Sequence, residues 1–152
     1  DLVISMDALL HVGPNKHHKV MKEAARVLRP GGWMIFTDIL QQEVVDPVEM
    51  QPIYDRIHLS KLGTVSNYKD AMEVVGFRNF NFDPHSSNVP AHYGTIREVL
   101  IEKANSIGVS KDYAVRMEAG LQTWRDLAPK NIVWGFLSAQ KTEKVADLEQ
   151  EE

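Results

Sequence analysis

The first forty residues impose the strongest constraint, because they read as strand, helix and strand with short joints, a βαβ unit with a right-handed crossover. Leu2-Val3-Ile4 is an apolar run between polar residues, the pattern of a strand buried on both faces. From Lys16 to Arg29 the apolar period lengthens: Val20, Ala24, Val27 and Leu28, with Met21 and Ala25 beside them, form a helical stripe. Lys16, Lys19, Lys22, Glu23 and Arg26 fill the opposite face. Pro14 and Asn15 suit the helix entrance, and Pro30-Gly31-Gly32 ends it. Trp33 to Asp38 (WMIFTD) then reads as a second buried strand. Two strands joined through one helix pair in parallel, so the chain is committed to an α/β fold.

The remainder is expected to close that sheet differently. Glu49 to Lys61 reads as a helix with Ile53, Ile57 and Leu62 inward, and Ser66 as the N-cap of a helix through Val75, closed by Gly76. Phe77 to Phe82 alternates, with Phe80 and Phe82 on one face, and Asp83-Pro84 breaks it. Tyr93 to Ile107 and Asp112 to Leu127 read as two helices separated by Gly108, and Ile132 to Gln140 as the last strand. Residues 142–152 are charged and expected to form a disordered tail, leaving 1–141 as the folded part.

Composition excludes several classes. A net charge of -4 offers no electrostatic case for nucleic acid or an anionic membrane as partner. No apolar stretch approaches the ~20 residues that span a bilayer, and without cysteine there is no disulfide framework or thiolate chemistry. The chain opens at Asp1 directly into a strand pattern. We therefore expect the edge at Leu2–Ile4 to be covered by a missing N-terminal half or by a second chain, a homodimer partner being one such chain.

DLVISMDALLH followed by ARVLRPGGWMIFTD resembles the second half of class I S-adenosylmethionine-dependent methyltransferases. QPIYDRIHLSKLGTVSNYKDAMEVVGF, PAHYGTIREVL and LQTWRDLAPKNIVWGFLSAQK narrow the resemblance to sarcosine/dimethylglycine N-methyltransferases, which make glycine betaine, and to the related phosphoethanolamine enzymes. The fold implied is the C-terminal part of a Rossmann-like class I methyltransferase: parallel strands plus a closing antiparallel strand. The N-terminal cofactor-binding half, with its Gly-rich turn, is absent from the chain. The cofactor implied is S-adenosyl-L-methionine, the substrate a small amine, and the location cytoplasmic. Two rivals stand beside this reading: a methyltransferase for another small substrate such as phosphoethanolamine, and an inactive fragment acting as an interaction module.

Methyl transfer from a sulfonium asks for alignment, an unprotonated amine, aromatic faces around a developing quaternary nitrogen and a partner for the substrate carboxylate. By resemblance, Ser5, Met6 and Asp7 line the methionine part of the cofactor at the carboxyl end of the first strand, where open α/β sheets bind ligands. His11 matches a histidine near the transfer centre and is the candidate catalytic base, in contact with the cofactor region. Histidine is the residue type suited to accepting a proton near neutrality. Tyr54, Tyr93 and Trp134 are the candidate walls of the amine pocket, with His92 beside Tyr93 and Arg56 the candidate partner of a carboxylate. His17 and His18 are expected to be solvated at the helix entrance, and no metal site is expected.

Overall fold

In the computed structural model, which describes residues 1–142, four strands form one mixed sheet in the order β1-β2-β4-β3. The strands are β1 (Leu2–Met6), β2 (Trp33–Gln41), β3 (Phe77–Pro84) and β4 (Ile132–Lys141). β1 and β2 are parallel, joined through two 3-10 turns (Leu9–Val12 and Pro14–Lys16) and helix α1 (His17–Val27). β4 runs antiparallel to both β2 and β3, as the closing strand was expected to. Between β2 and β3 lie α2 (Pro47–Ile57) and α3 (Val65–Val74); between β3 and β4 lie α4 (Asn88–Lys103) and α5 (Lys111–Asn131). The charged segment 143–152 lies outside the described residues, and Thr142 is tied by its backbone N–H and hydroxyl to the Gly76 carbonyl.

Local chemistry explains most boundaries. Asp46 caps α2 by accepting from the Val48 N–H at 2.8 Å. α3 starts earlier than expected, because Thr64 rather than Ser66 is the N-cap, in a reciprocal capping box with Asn67. Ser66 instead donates its hydroxyl to the Glu43 carboxylate at 2.8 Å. β2 runs three residues past Asp38 because β4 offers it partners as far as Gln41↔Ile132. α4 begins at Asn88 rather than Tyr93, with Pro90 inside its first turn, where no intrahelical N–H is required.

Two apolar cores form. α1 and α3 cover one sheet face, where Met21, Leu28, Phe36, Tyr68, Met72 and Leu137 are buried. The second core gathers α2, the start of α4 and α5 around Ile53, Leu62, Trp124 and Ile132. On the other face of β1 and β2, Leu2, Ile4, Met6, Trp33 and Ile35 are exposed. The expectation that both strands are buried on both faces is thus corrected: α1 and α3 cover one face of β1, and no described element covers the other. Among the described residues no helix is long and apolar enough to cross a membrane, and no cluster of His, Asp or Glu could hold a metal ion.

The first core contains a polar column. The Tyr68 hydroxyl donates to Asp38 Oδ2, and the His17 ring stacks on Tyr68 at 4.1 Å between centroids. His17 is therefore buried, not solvated, since the turn Pro14–Lys16 swings the first residue of α1 under Gly63 and Tyr68. Neither ring nitrogen of His17 has a hydrogen-bond partner. Burial lowers the imidazole from 6.5 to about 4 and raises the Asp38 carboxyl from 3.8 to about 7, against the pull of the Tyr68 hydroxyl.

These two groups lean in opposite directions with pH. Folded Asp38 keeps a proton that the unfolded chain has released, so its contribution falls as pH rises from about 4 to 7. Folded His17 excludes a proton that the unfolded chain binds, so its contribution falls as pH drops from 6.5 to about 4. Below pH 6.5 the two offset one another. In His17→Gln the Asp38 slope should emerge alone, with stability declining by on the order of 4 kcal/mol between pH 4 and 7. Urea midpoints measured across that range check it, and superimposable profiles for parent and variant would contradict it.

A separate expectation concerns Gly135, whose backbone lies against β3. A Cβ there would collide with the Asp83 carbonyl oxygen and come within 2.9 Å of the Phe82 ring. Gly135→Ala should therefore push β3 off β4 and cost about 1–3 kcal/mol, read as a lowered midpoint in urea.

Candidate functional site

The site is built where β1 stops. Asp7, the residue after β1, turns the chain with φ of 46°, a left-handed conformation that a short polar side chain tolerates. Its N–H donates to the Thr37 carbonyl at 2.9 Å, so the turn is tied to β2. Its carboxylate accepts from the Trp134 indole N–H at 2.8 Å, tying the same turn to β4. Leu9 then points into the first core and Leu10 into the second, so the 3-10 turn straddles the carboxyl end of the sheet.

A cavity of about 170 Å³ opens there, lined by Asp7, Ile39, Asn88, Val89, His92, Tyr93 and Trp134. Ile39 and Trp134 face each other in the β2–β4 register and form its floor. The first turns of α4 form the opposite wall. There Tyr93 packs on Trp124 at 4.8 Å between ring centroids, and His92 meets Tyr93 edge to face at 5.2 Å. Burial pushes the Tyr93 hydroxyl up to about 12; Arg56 opposes that shift and Asp7 adds to it. The phenol thus stays protonated near neutral pH, and both charges lie close enough to act on it.

Of the residues singled out from the sequence, the fold brings Asp7, His92, Tyr93 and Trp134 together around this cavity. Arg56 stands beside it on α2, its guanidinium packed over Gly120 of α5 where any Cβ would collide with it. Among the described residues Arg56 has no hydrogen-bond or ion-pair partner, although it is only partly exposed. Tyr54 lies elsewhere, buried in the second core with its hydroxyl donating to Gln41 Oε1 at 2.7 Å. It belongs to the second core with Met50 and Ile53 and is not among the residues that line the cavity. Ser5 is half-buried within β1, and Met6 and His11 are exposed outside the cavity lining.

Four neighbours went unread in the sequence. Asn88 and Val89 precede the expected helix start at Tyr93, although Ser87 and the following Pro90 carry a helix-start signal. Ile39 lay beyond the expected end of β2. The Thr37 hydroxyl, opposite Met6 in the sheet, is buried without a hydrogen-bond partner. No sequence signal reveals that orphan, because it exists only once β1 and β4 flank β2.

Comparison with known proteins agrees with this geometry. Residues 1–36 match a family model described as a methyltransferase domain. Over 144 residues the chain is 38% identical to a sarcosine/dimethylglycine N-methyltransferase of Halorhodospira halochloris, covering 93% of this chain and 51% of that protein. A solved structure of a candidate sarcosine dimethylglycine methyltransferase from Galdieria sulphuraria superposes with a TM-score of 0.84 at 29% identity, over 95% of this chain and 54% of that one. A Haemonchus contortus phosphoethanolamine N-methyltransferase, solved with phosphomonomethylethanolamine and S-adenosylhomocysteine, shares the fold at a TM-score of 0.80 and 17% identity, covering 93% of this chain and 33% of that one. The chain thus spans about half the length of the sarcosine/dimethylglycine relatives it matches. In sequence and fold the chain is similar to about half of a class I S-adenosylmethionine-dependent methyltransferase, that of its sarcosine/dimethylglycine N-methyltransferase relatives.

Proposed function

We propose that this chain supplies the methyl-acceptor side of an N-methyltransferase for a small zwitterionic amine such as sarcosine or dimethylglycine. The observation that carries this reading is the pairing of an aromatic-walled cavity with two opposite, separated charges, Asp7 inside and Arg56 beside it. A methylated amino acid presents a cationic nitrogen and a carboxylate. Tyr93 and Trp134 offer π faces to the nitrogen, and the unpaired Arg56 offers a fork of donors to the carboxylate. The cavity is small beside the ~300–1,000 Å³ of drug-sized sites, as such a substrate requires. Phosphoethanolamine fits less well, since a phosphate asks for clustered cations and among the described residues no Lys or Arg lines the cavity itself.

Residues 1–141 act in this reading as one half of a methyltransferase domain. The rest of the domain would cover the open face at Leu2, Ile4 and Met6. The residues present fit a polar cofactor group at the end of β1: Ser5, Met6 and Asp7 would hold its methionyl part, with the orphan Thr37 hydroxyl as an added partner. S-adenosylmethionine, when bound, would supply a sulfonium methyl that passes to the amine nitrogen as the S–C bond breaks. The chain's own residues do the rest. Asp7, held by Trp134, orients the amine and accepts its hydrogen bond; Arg56 fixes the other end of the substrate. His11, exposed on the adjoining turn, takes the released proton toward solvent.

In the full-length protein, His11→Ala should lower turnover at least about tenfold while weakening S-adenosylmethionine binding, measured by calorimetry, far less. Arg56→Gln should raise the KM for dimethylglycine about tenfold with a smaller change in kcat, because a carboxylate clamp is made before the transition state. Tyr93→Leu should raise the same KM through loss of a cation–π wall. Phosphoethanolamine methylated in preference to dimethylglycine would favour the rival substrate. A wild-type protein that binds no S-adenosylmethionine would favour the interaction module.

A further inference from the structure

Asp38 touches nothing in the cavity, yet its position is expensive. It sits fully buried beneath the sheet, facing α1 and α3, while Ile39 beside it faces the cavity. A buried carboxyl is tolerated where donors surround it. Here the Tyr68 hydroxyl donates to Oδ2 from α3. The backbone N–H groups of Leu10 and Ile39 face the carboxyl and draw its pKa down, but neither closes a full hydrogen bond, and Oδ1 has no partner. An apolar side chain would pack this core without that penalty, so stability does not account for the carboxyl.

Leu10 and His11 share the 3-10 turn whose entry is Asp7. Two hydrogen bonds hold that turn, the Asp7 N–H on the Thr37 carbonyl and the Trp134 indole N–H on the Asp7 carboxylate, and the first lands on the residue next to Asp38. Both fix its start, while the Leu10 N–H, one residue from His11, faces the Asp38 carboxyl without closing a full hydrogen bond. Tyr68 in turn holds Asp38 from α3 and is braced by the His17 ring.

We propose that Asp38 is a positioning residue: anchored by Tyr68, it sets from beneath the sheet the turn that carries Asp7 and His11. Its catalytic consequence rests on the site reading above, whereas its structural consequence does not. Asp38 is raised to about 7, so the hold on the turn changes across neutral pH. Ionised, the carboxyl accepts from Tyr68 and attracts the Leu10 N–H that faces it; protonated, it surrenders part of that capacity. The charged and titratable groups facing it are Tyr68 from α3, His17 behind Tyr68 from α1, and Asp7 from the turn itself.

The test uses the full-length protein and the indole N–H resonance of Trp134, which reports on its bond to Asp7 and is assigned by its loss in Trp134→Phe. Tyr68→Phe keeps the carboxyl and the ring while removing the hydroxyl, and Asp38→Asn keeps the shape while replacing one acceptor by a donor. Both should move the Trp134 resonance and leave that of Trp124, in the second core, in place. In the parent protein the Trp134 resonance should titrate near neutral pH, and this step should vanish in Asp38→Asn. Dimethylglycine turnover should fall about tenfold in Tyr68→Phe with an unchanged KM, since misplacement of a proton acceptor acts on kcat. A folded Tyr68→Phe protein with a lowered melting temperature but an unmoved Trp134 resonance would show Asp38 to be structural only and overturn the proposal. If the parent protein lacks methyltransferase activity the reading of function fails, and the resonance still decides the role of Asp38.

Discussion

Strand β4 lies between β2 and β3 and runs against both, and the site depends on that insertion. Residue 134 reaches Asp7 only because β4 is laid beside β2, where Trp134 opposes Ile39. The same register sets Gly135 against the Asp83 carbonyl, where no side chain could fit. It also carries Lys141 to the carboxyl end of α1, where its ammonium donates to the carbonyls of Ala25 and Leu28. One antiparallel pairing therefore closes the sheet, caps a helix and floors the cavity.

The two cores divide the work. The first, under α1 and α3, holds the parallel β1–β2 pair rigid and contains the buried Asp38–Tyr68–His17 column. The second, around α2 and α5, supports the wall that carries Tyr93 and sets Arg56 over Gly120. The turn after β1 belongs to both, with Leu9 in one and Leu10 in the other. A site set across the seam between two packed cores keeps its geometry only while both are intact, which suits a reaction limited by alignment.

The exposed apolar face of β1 and β2 has a simple thermodynamic meaning. Leu2, Ile4 and Met6 are each more than half exposed, and a parallel edge strand of such residues is an aggregation hazard when left open. The sarcosine/dimethylglycine relatives described above are about twice this length.

Much of the architecture was legible in the sequence because it depends on short-range rules. The helical stripe of α1, the stop at Pro30-Gly31-Gly32 and the alternation after Phe77 each follow from periodicity and backbone restriction within a dozen residues. Asp7 was expected at the cofactor and His92, Tyr93 and Trp134 in an amine pocket, and the fold sets all four around one cavity. Helix edges shifted where a stronger cap competed, as Thr64 did with Ser66. What only the tertiary structure decided is which face each side chain meets. Tyr54 and Tyr93 are both helical tyrosines, yet one is sealed against Gln41 and the other opens on the cavity. His17 looked like a surface residue and lies stacked under Tyr68; Asp38 looked like a strand end and lies in a core. The physical reason is that burial and pairing are set by elements up to 127 residues apart in the chain, and local propensity carries no record of which of them will meet.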